Sequence, residues 1–184
     1  MIYLKKPDGT IQKFESDDDK QMRQALNIDK QLAAQKGEEF GEVYDADSLP
    51  DEDKVKLGLM TQNELFIKIK LTKINEIITA FDKELEGGHF MSASLGIEVD
   101  CRRSDRKNDK QNVEGLISNM VRNSKATVNY VGYSEIKTGV TKTQLEELVA
   151  EMEDHVLGLY EKKWLKQDEI NNASTIEEVI NINW

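Results

Sequence analysis

Cys101 is the chain's one cysteine, and Arg102-Arg103 directly after it would depress a thiol pKa if His89 or His155 stood near enough to take the proton. No nucleophile elbow, phosphate loop or dinucleotide glycine pattern accompanies it. A lone cysteine after a strand is therefore read as a small packing residue. His155 has Glu151 one helical turn before it, which makes half of a metal site, and a residue on a polar helix face is the simpler reading. An EF-hand loop starting at Asp45 would need glycine where Pro50 stands and glutamate where Lys56 stands, so calcium binding by that motif fails. Carboxylate pairs are too frequent in so acidic a chain to single out an acid and a base. We expect no catalytic residue, no metal and no cofactor.

Two charged segments could bind instead of react. Arg102, Arg103, Arg106, Lys107 and Lys110 form the only basic cluster, diluted by Asp105 and Asp109 and without an interleaved aromatic residue. It reads as a solvated loop before it reads as a phosphate or acidic-patch binder. Residues 38 to 53 carry eight acidic side chains and no basic one. Asp45, Asp47, Asp51, Glu52 and Asp53 there could imitate a nucleic acid backbone, although an extended solvated connector is the favoured reading.

Net charge is -10 over 184 residues, and its distribution matters more than its size. Residues 1 to 60 hold 9 basic and 14 acidic side chains, 61 to 140 hold 12 and 11, and 141 to 184 hold 4 and 10. Two acidic ends around a neutral middle argue against general affinity for nucleic acids or anionic lipid. A single cysteine excludes an intrachain disulfide. The N-terminus lacks a secretory h-region, and no apolar run approaches the ~20 residues that cross a bilayer.

The elements that must position these groups follow from pattern. Ile2, Leu4, Pro7-Asp8-Gly9, Ile11 and Phe14 predict a hairpin. Ser16 and the acidic turn Asp17-Asp18-Asp19 predict a helix start, with a thin apolar stripe ending at Lys36 and Gly37. Thr61 with Glu64 and Thr141 with Gln144 form capping boxes ahead of two long amphipathic helices. The first is expected to stop at a left-handed Gly87-Gly88, and the second carries an apolar stripe through to Trp164, which is expected to be buried. Between them fall a hairpin over 90 to 99, a short helix over about 108 to 122 and a strand over 127 to 133, with Gly139 turning the chain. This is an α+β class, two long amphipathic helices with intervening β-hairpins and a short helix, plus a small N-terminal hairpin-helix module. The domains are placed at 1–56 and 57–184.

Lys73-Ile74, Gly88 with Phe90, Val99-Asp100 and Asn112-Val113-Glu114-Gly115 recur in order and spacing, followed by Thr143, Leu145, Leu148, His155, Tyr160, Trp164, Lys166 and Ile170. Thr175-Ile176-Glu177-Glu178-Val179 then closes on Ile182 and Trp184. With these residues the stretch from about 68 to 184 resembles a phage and prophage tail-associated family catalogued as domain of unknown function 4376. An Asp-Asn pair usual before the last long helix is missing from Gly132-Tyr133-Ser134-Glu135-Ile136-Lys137-Thr138-Gly139. The resemblance implies a non-enzymatic tail or tail-fibre component, or an assembly factor, working through protein partners in the virion or the host cytoplasm. An acidic phage-encoded inhibitor of a bacterial defence nuclease is the alternative. Ser174 with Glu177 predicts a short capped helix in the tail. Trp184 is expected either to cover the seam against the preceding helix or to anchor a partner.

Overall fold

A computed structural model describes residues 1–16, 18–101, 103–104 and 107–184, with side chains described at 1–16, 18, 20–101 and 110–184. The fold is α+β, built of small antiparallel sheets and several helices. It divides into two compact units, Met1–Ile67 and Lys68–Trp184.

In the first unit β1 (Ile2–Lys5) and β2 (Ile11–Phe14) pair antiparallel, as the turn residues predict. Gly9 takes the left-handed conformation at φ 82, which costs glycine no Cβ clash. Helix α1 (Asp19–Lys36) starts two residues later than Ser16 would place it. Asp18 is the cap, its carboxylate accepting the Lys20 amide at 2.8 Å, and Ser16 Oγ accepts the Asp18 amide instead. Met22 is buried, whereas Ile28 and Leu32 are exposed, so the helix is a surface element.

The connector expected over 38 to 53 is folded. Glu42–Asp45 is a third strand, β3, antiparallel to β1, and Asp51–Lys56 is a short helix, α2. Tyr3 and Leu4 lie buried on the central strand β1, and Leu49 is buried within the former connector. Gly41 leads into β3, and a Cβ there would meet the Lys5 carbonyl oxygen at 1.9 Å. Acidic composition hid the strand because its stabilising hydrogen bonds come from β1, far away in sequence.

The second unit runs from within α3 (Gln62–Gly87) to the C-terminus. The Thr61 capping box forms: Thr61 Oγ1 accepts the Glu64 amide at 3.1 Å and Glu64 accepts the Thr61 amide at 2.7 Å. Gly87 is the last helical residue and is not left-handed, contrary to expectation. The hairpin β4 (His89–Met91) and β5 (Glu98–Asp100) follows, with Gly96 left-handed in its turn. Two-residue strands β6 (Arg103–Ser104) and β7 (Lys107–Asn108) precede α4 (Asp109–Arg122). Val113 and Met120 on α4 are buried, but Val121 is 62% exposed.

Strand β8 (Thr127–Val131) pairs with β9 (Ile136–Thr141), a strand the sequence reading lacked. Gly139 lies inside β9 with φ 71, where the register slips between Val128↔Val140 and Tyr130↔Lys137. It therefore supports a bulge instead of turning the chain. Helix α5 (Lys142–Asn172) keeps its Thr141–Gln144 capping box over 31 residues. Helix α6 (Ile176–Asn181) is capped by Thr175 with Glu178, one residue beyond the predicted pair. The core gathers Leu95, Ile97 and Val99 of the first hairpin, Val113 and Met120 of α4, Tyr130 and Val140 of the second hairpin, and Leu145, Leu148 and Met152 of α5.

Candidate protein-interaction site

The acidic candidates divide by environment. Asp45 closes a turn, accepting the Asp47 amide at 3.1 Å and the Ser48 amide at 2.7 Å, and the Ser48 bonds hold its carboxyl below the usual range. Asp47 and Glu52 are exposed. Asp51 pairs with Lys54 at 3.7 Å. Asp53 is 1% exposed and accepts Lys5 Nζ at 2.6 Å and Lys56 Nζ at 3.0 Å. Those two ammonium bonds hold its carboxyl below the usual range against the opposing effect of burial. Asp53 thus ties α2 to β1 and is closed to a partner.

Removing one member of such a pair leaves charge without compensation, so Asp53→Asn is expected to destabilise the first unit by about 2 kcal/mol. Asp47→Asn is expected to fall within about 0.5 kcal/mol of the parent. Urea unfolding of the two variants side by side checks this.

Of the basic candidates, Arg102 and Arg106 lie outside the described residues. Arg103 and Lys107 are placed only as strand residues of the β6–β7 hairpin. Lys110, next along the chain, pairs with Glu153 of α5.

Trp184 is half-buried. Its ring meets Phe81 of α3 edge-on at 6.1 Å between centroids, its Nε1 donates to Glu84, and Lys162 of α5 stands 4.1 Å above it. Phe81 also packs on Tyr160 at 4.9 Å, and Lys70 Nζ donates to the Asn171 carbonyl at 2.8 Å. Such pairings run α3 and α5 antiparallel. The terminal indole fastens α3 to α5, whereas the expected seam lay between α6 and α5.

Each histidine stacks on an aromatic ring. His89 Nδ1 lies 2.5 Å from Glu98 and its ring stacks on Tyr133, while His155 stacks on Phe90. Glu151, the carboxylate expected beside His155, instead accepts Ser92 Oγ at 2.6 Å and the Ser94 amide at 2.8 Å. It holds the β4–β5 turn on α5, and Ser92 is fully buried there. Among the described residues no group of three or more potential ligands could hold a metal ion.

Burial, more than any neighbouring charge, lowers the His155 pKa below 6.5; Glu84 opposes the shift and His89 adds to it. A lowered folded-state value means that unfolding takes up a proton, so stability contributed by neutral His155 is present above pH ~6.5 and lost as pH falls through the folded value. His155→Gln is expected to flatten the slope of melting temperature against pH just below 6.5, read by thermal denaturation across buffers.

Trp164 departs most from expectation. It is 54% exposed, and Leu157, seven residues before it on α5, and Leu165, directly after it, are 49% and 59% exposed. The i, i+7, i+8 spacing puts all three on one helix face. Gly158 lies beside them with open space where a side chain would project. Leu157 also lines a cavity of about 260 Å³ with Cys101, Met152, Val156 and Tyr160, at whose edge the Lys110–Glu153 pair sits. Cys101 is buried. An aromatic and two leucines on one helix face, with Leu157 alone of the three lining an apolar recess, form the kind of surface that receives an apolar anchor from another protein. Helical periodicity revealed the stripe but not which part of it another element covers.

Among the described residues no helix is long and apolar enough to cross a membrane. A family model described as Domain of unknown function (DUF4376) matches residues 68–183. No curated protein and no solved structure matches the chain.

Proposed function

The chain belongs to the DUF4376 family, and from that premise we propose that it is a non-enzymatic phage or prophage accessory protein acting through protein contacts in a tail or tail-fibre, or in their assembly. The observation that carries this reading is the exposed Leu157–Trp164–Leu165 face of α5 beside its apolar recess, inside the family-matched region. Large apolar side chains held in water on a rigid helix cost solubility, and burial against a partner recovers about 25 cal/mol per Å². The partner contact assigned to this face needs no chemistry from Cys101 or the histidines. The acidic-mimic alternative draws less support, since Asp53 is buried and paired and Asp51 faces Lys54.

Mass spectrometry of purified particles and of tail intermediates from the same lysate tests the proposal. The chain is expected in at least one of the two fractions, with stoichiometry fixed relative to a tail protein. Its absence from both, together with recovery of a nuclease in stable complex with it, would support the inhibitor alternative instead.

A further inference from the structure

Helix α5 carries two kinds of carboxylate. Glu146 pairs with Lys142, Glu153 with Lys110 and Glu169 with Lys166, and Glu151 accepts from Ser92 and Ser94. Glu147, Asp154, Glu161 and Asp168 are exposed and have no hydrogen-bond or ion-pair partner among the described residues. Those four recur every seven residues, and no lysine or arginine stands three or four positions from any of them. Ala150, Leu157 and Trp164 alternate with them at the same seven-residue interval, and all three are exposed. By helical periodicity both rows share one face, opposite the buried Leu145, Leu148, Met152, Leu159 and Ile170. The lysines of this stretch are turned aside, Lys162 over the Trp184 ring and Lys163 over that of Phe81. Charge on α5 is thus segregated, and its outward face is acidic and apolar without a cation of its own.

We infer that this face receives a basic amphipathic helix of a partner protein, whose apolar residues meet Leu157 and Trp164 and whose lysines or arginines lie against the acidic row. A row repeating every seven residues drifts only about 20° per repeat around an α-helix, which a second helix follows in a left-handed crossing. From Glu147 to Asp168 the face runs about 32 Å, room for about three such repeats. A second copy of this chain is the wrong occupant, because it would set one uncompensated acidic row beside another. Nucleic acid and anionic lipid are repelled by the same sign of charge. The assignment rests on the α5 face being the protein contact proposed above and adds the chemistry of the partner.

The test selects a displayed library of helical peptides, three heptads long, against the immobilised full chain. Leucine is fixed at two positions of each heptad, and the flanking positions are randomised among Lys, Arg, Gln, Asp and Glu. Lysine and arginine are expected to dominate the flanks. For resynthesised peptides, raising sodium chloride from about 50 to about 500 mM is expected to weaken binding about tenfold, since the charge pairs are open to solvent. Asp154→Lys/Glu161→Lys is expected to reverse the selected charge, and the milder Asp154→Asn/Glu161→Gln to remove most of the salt dependence. Leu157→Ser/Trp164→Ser is expected to weaken every enriched peptide about tenfold. Failure of any helical peptide to enrich, enrichment of acidic or uncharged flanks, or unchanged binding by Leu157→Ser/Trp164→Ser would each overturn the assignment. Such a failure with a tail protein still recovered through Leu157 and Trp164 leaves the contact standing and removes only the basic helix. Selection of basic helices with no tail protein recovered does the opposite, keeping the helix site and removing the phage role.

Discussion

Leu148→Ala is expected to lower the unfolding free energy of the second unit by about 3 kcal/mol. Leu148 is fully buried where α5 meets both hairpins and α4, in one cluster with Val99, Val113, Tyr130 and Val140. Truncation removes the transfer free energy of the lost carbons and leaves a cavity, which strand and helix backbones on three sides cannot collapse to fill. Leu148→Met keeps the volume nearly constant and is expected to cost less than about 1.5 kcal/mol. Chemical denaturation of both variants separates a packing site from a merely apolar one. A loss below about 1 kcal/mol for the alanine would mean that the cluster is not the unit's core.

Gly41→Ala is the second large effect, and its origin differs. The new Cβ would lie 1.9 Å from the Lys5 carbonyl oxygen, 2.7 Å from the Lys5 carbonyl carbon and 2.8 Å from the Lys6 Cα. All three are backbone atoms, so no rotamer change relieves the overlap. Relief requires the start of β3 to move off β1, which breaks the Lys5↔Glu42 end of the ladder. A cost of about 3 kcal/mol is expected, concentrated in the first unit. Hydrogen exchange locates it: protection is lost at Glu42–Asp45 while the amides of α5 keep theirs. Gly37→Ala offers a contrast, because open space surrounds that position and strain comes only from its left-handed φ of 68. About 1 kcal/mol is expected there.

Much of the fold was legible because its signals are local. Thr61 with Glu64 and Thr141 with Gln144 satisfy helix amides within one turn, and Pro7-Asp8-Gly9 sets a hairpin within four residues. Features that depend on distant partners were not legible. β3 is a strand because β1 offers it an edge, and Asp53 is a buried ion-pair partner because Lys5 arrives from 48 residues away. Acidic composition alone described both as solvated. Gly139 reads as a turn until β9 gives it a strand to bulge, and a stripe ending at Trp164 reads as core until the covering elements are known. Among the candidate residues, the sequence drew attention to Trp184, whose contacts prove internal, and missed Leu157 and Leu165. Exposed leucines carry no sequence mark that distinguishes them from buried ones at the same helical spacing.

The histidine pair illustrates the same limit for chemistry. Glu151 stands one helical turn from His155 in sequence, but its two oxygens are taken by Ser92 and Ser94 of the β4–β5 turn. Helical spacing gives proximity along one element only; the neighbouring hairpin decides what the carboxylate does.

We propose that the exposed face of α5 is a protein contact. Co-purification of the tagged chain from phage-producing cells, with parent and a Leu157→Ser/Trp164→Ser double variant compared, tests it most directly. A tail protein is expected to accompany the parent in fixed proportion and to be reduced at least tenfold with the double variant, whose melting temperature is expected within a few degrees of the parent because both side chains are about half exposed. Equal recovery of the same tail protein by both forms, or no tail protein with either, would contradict it.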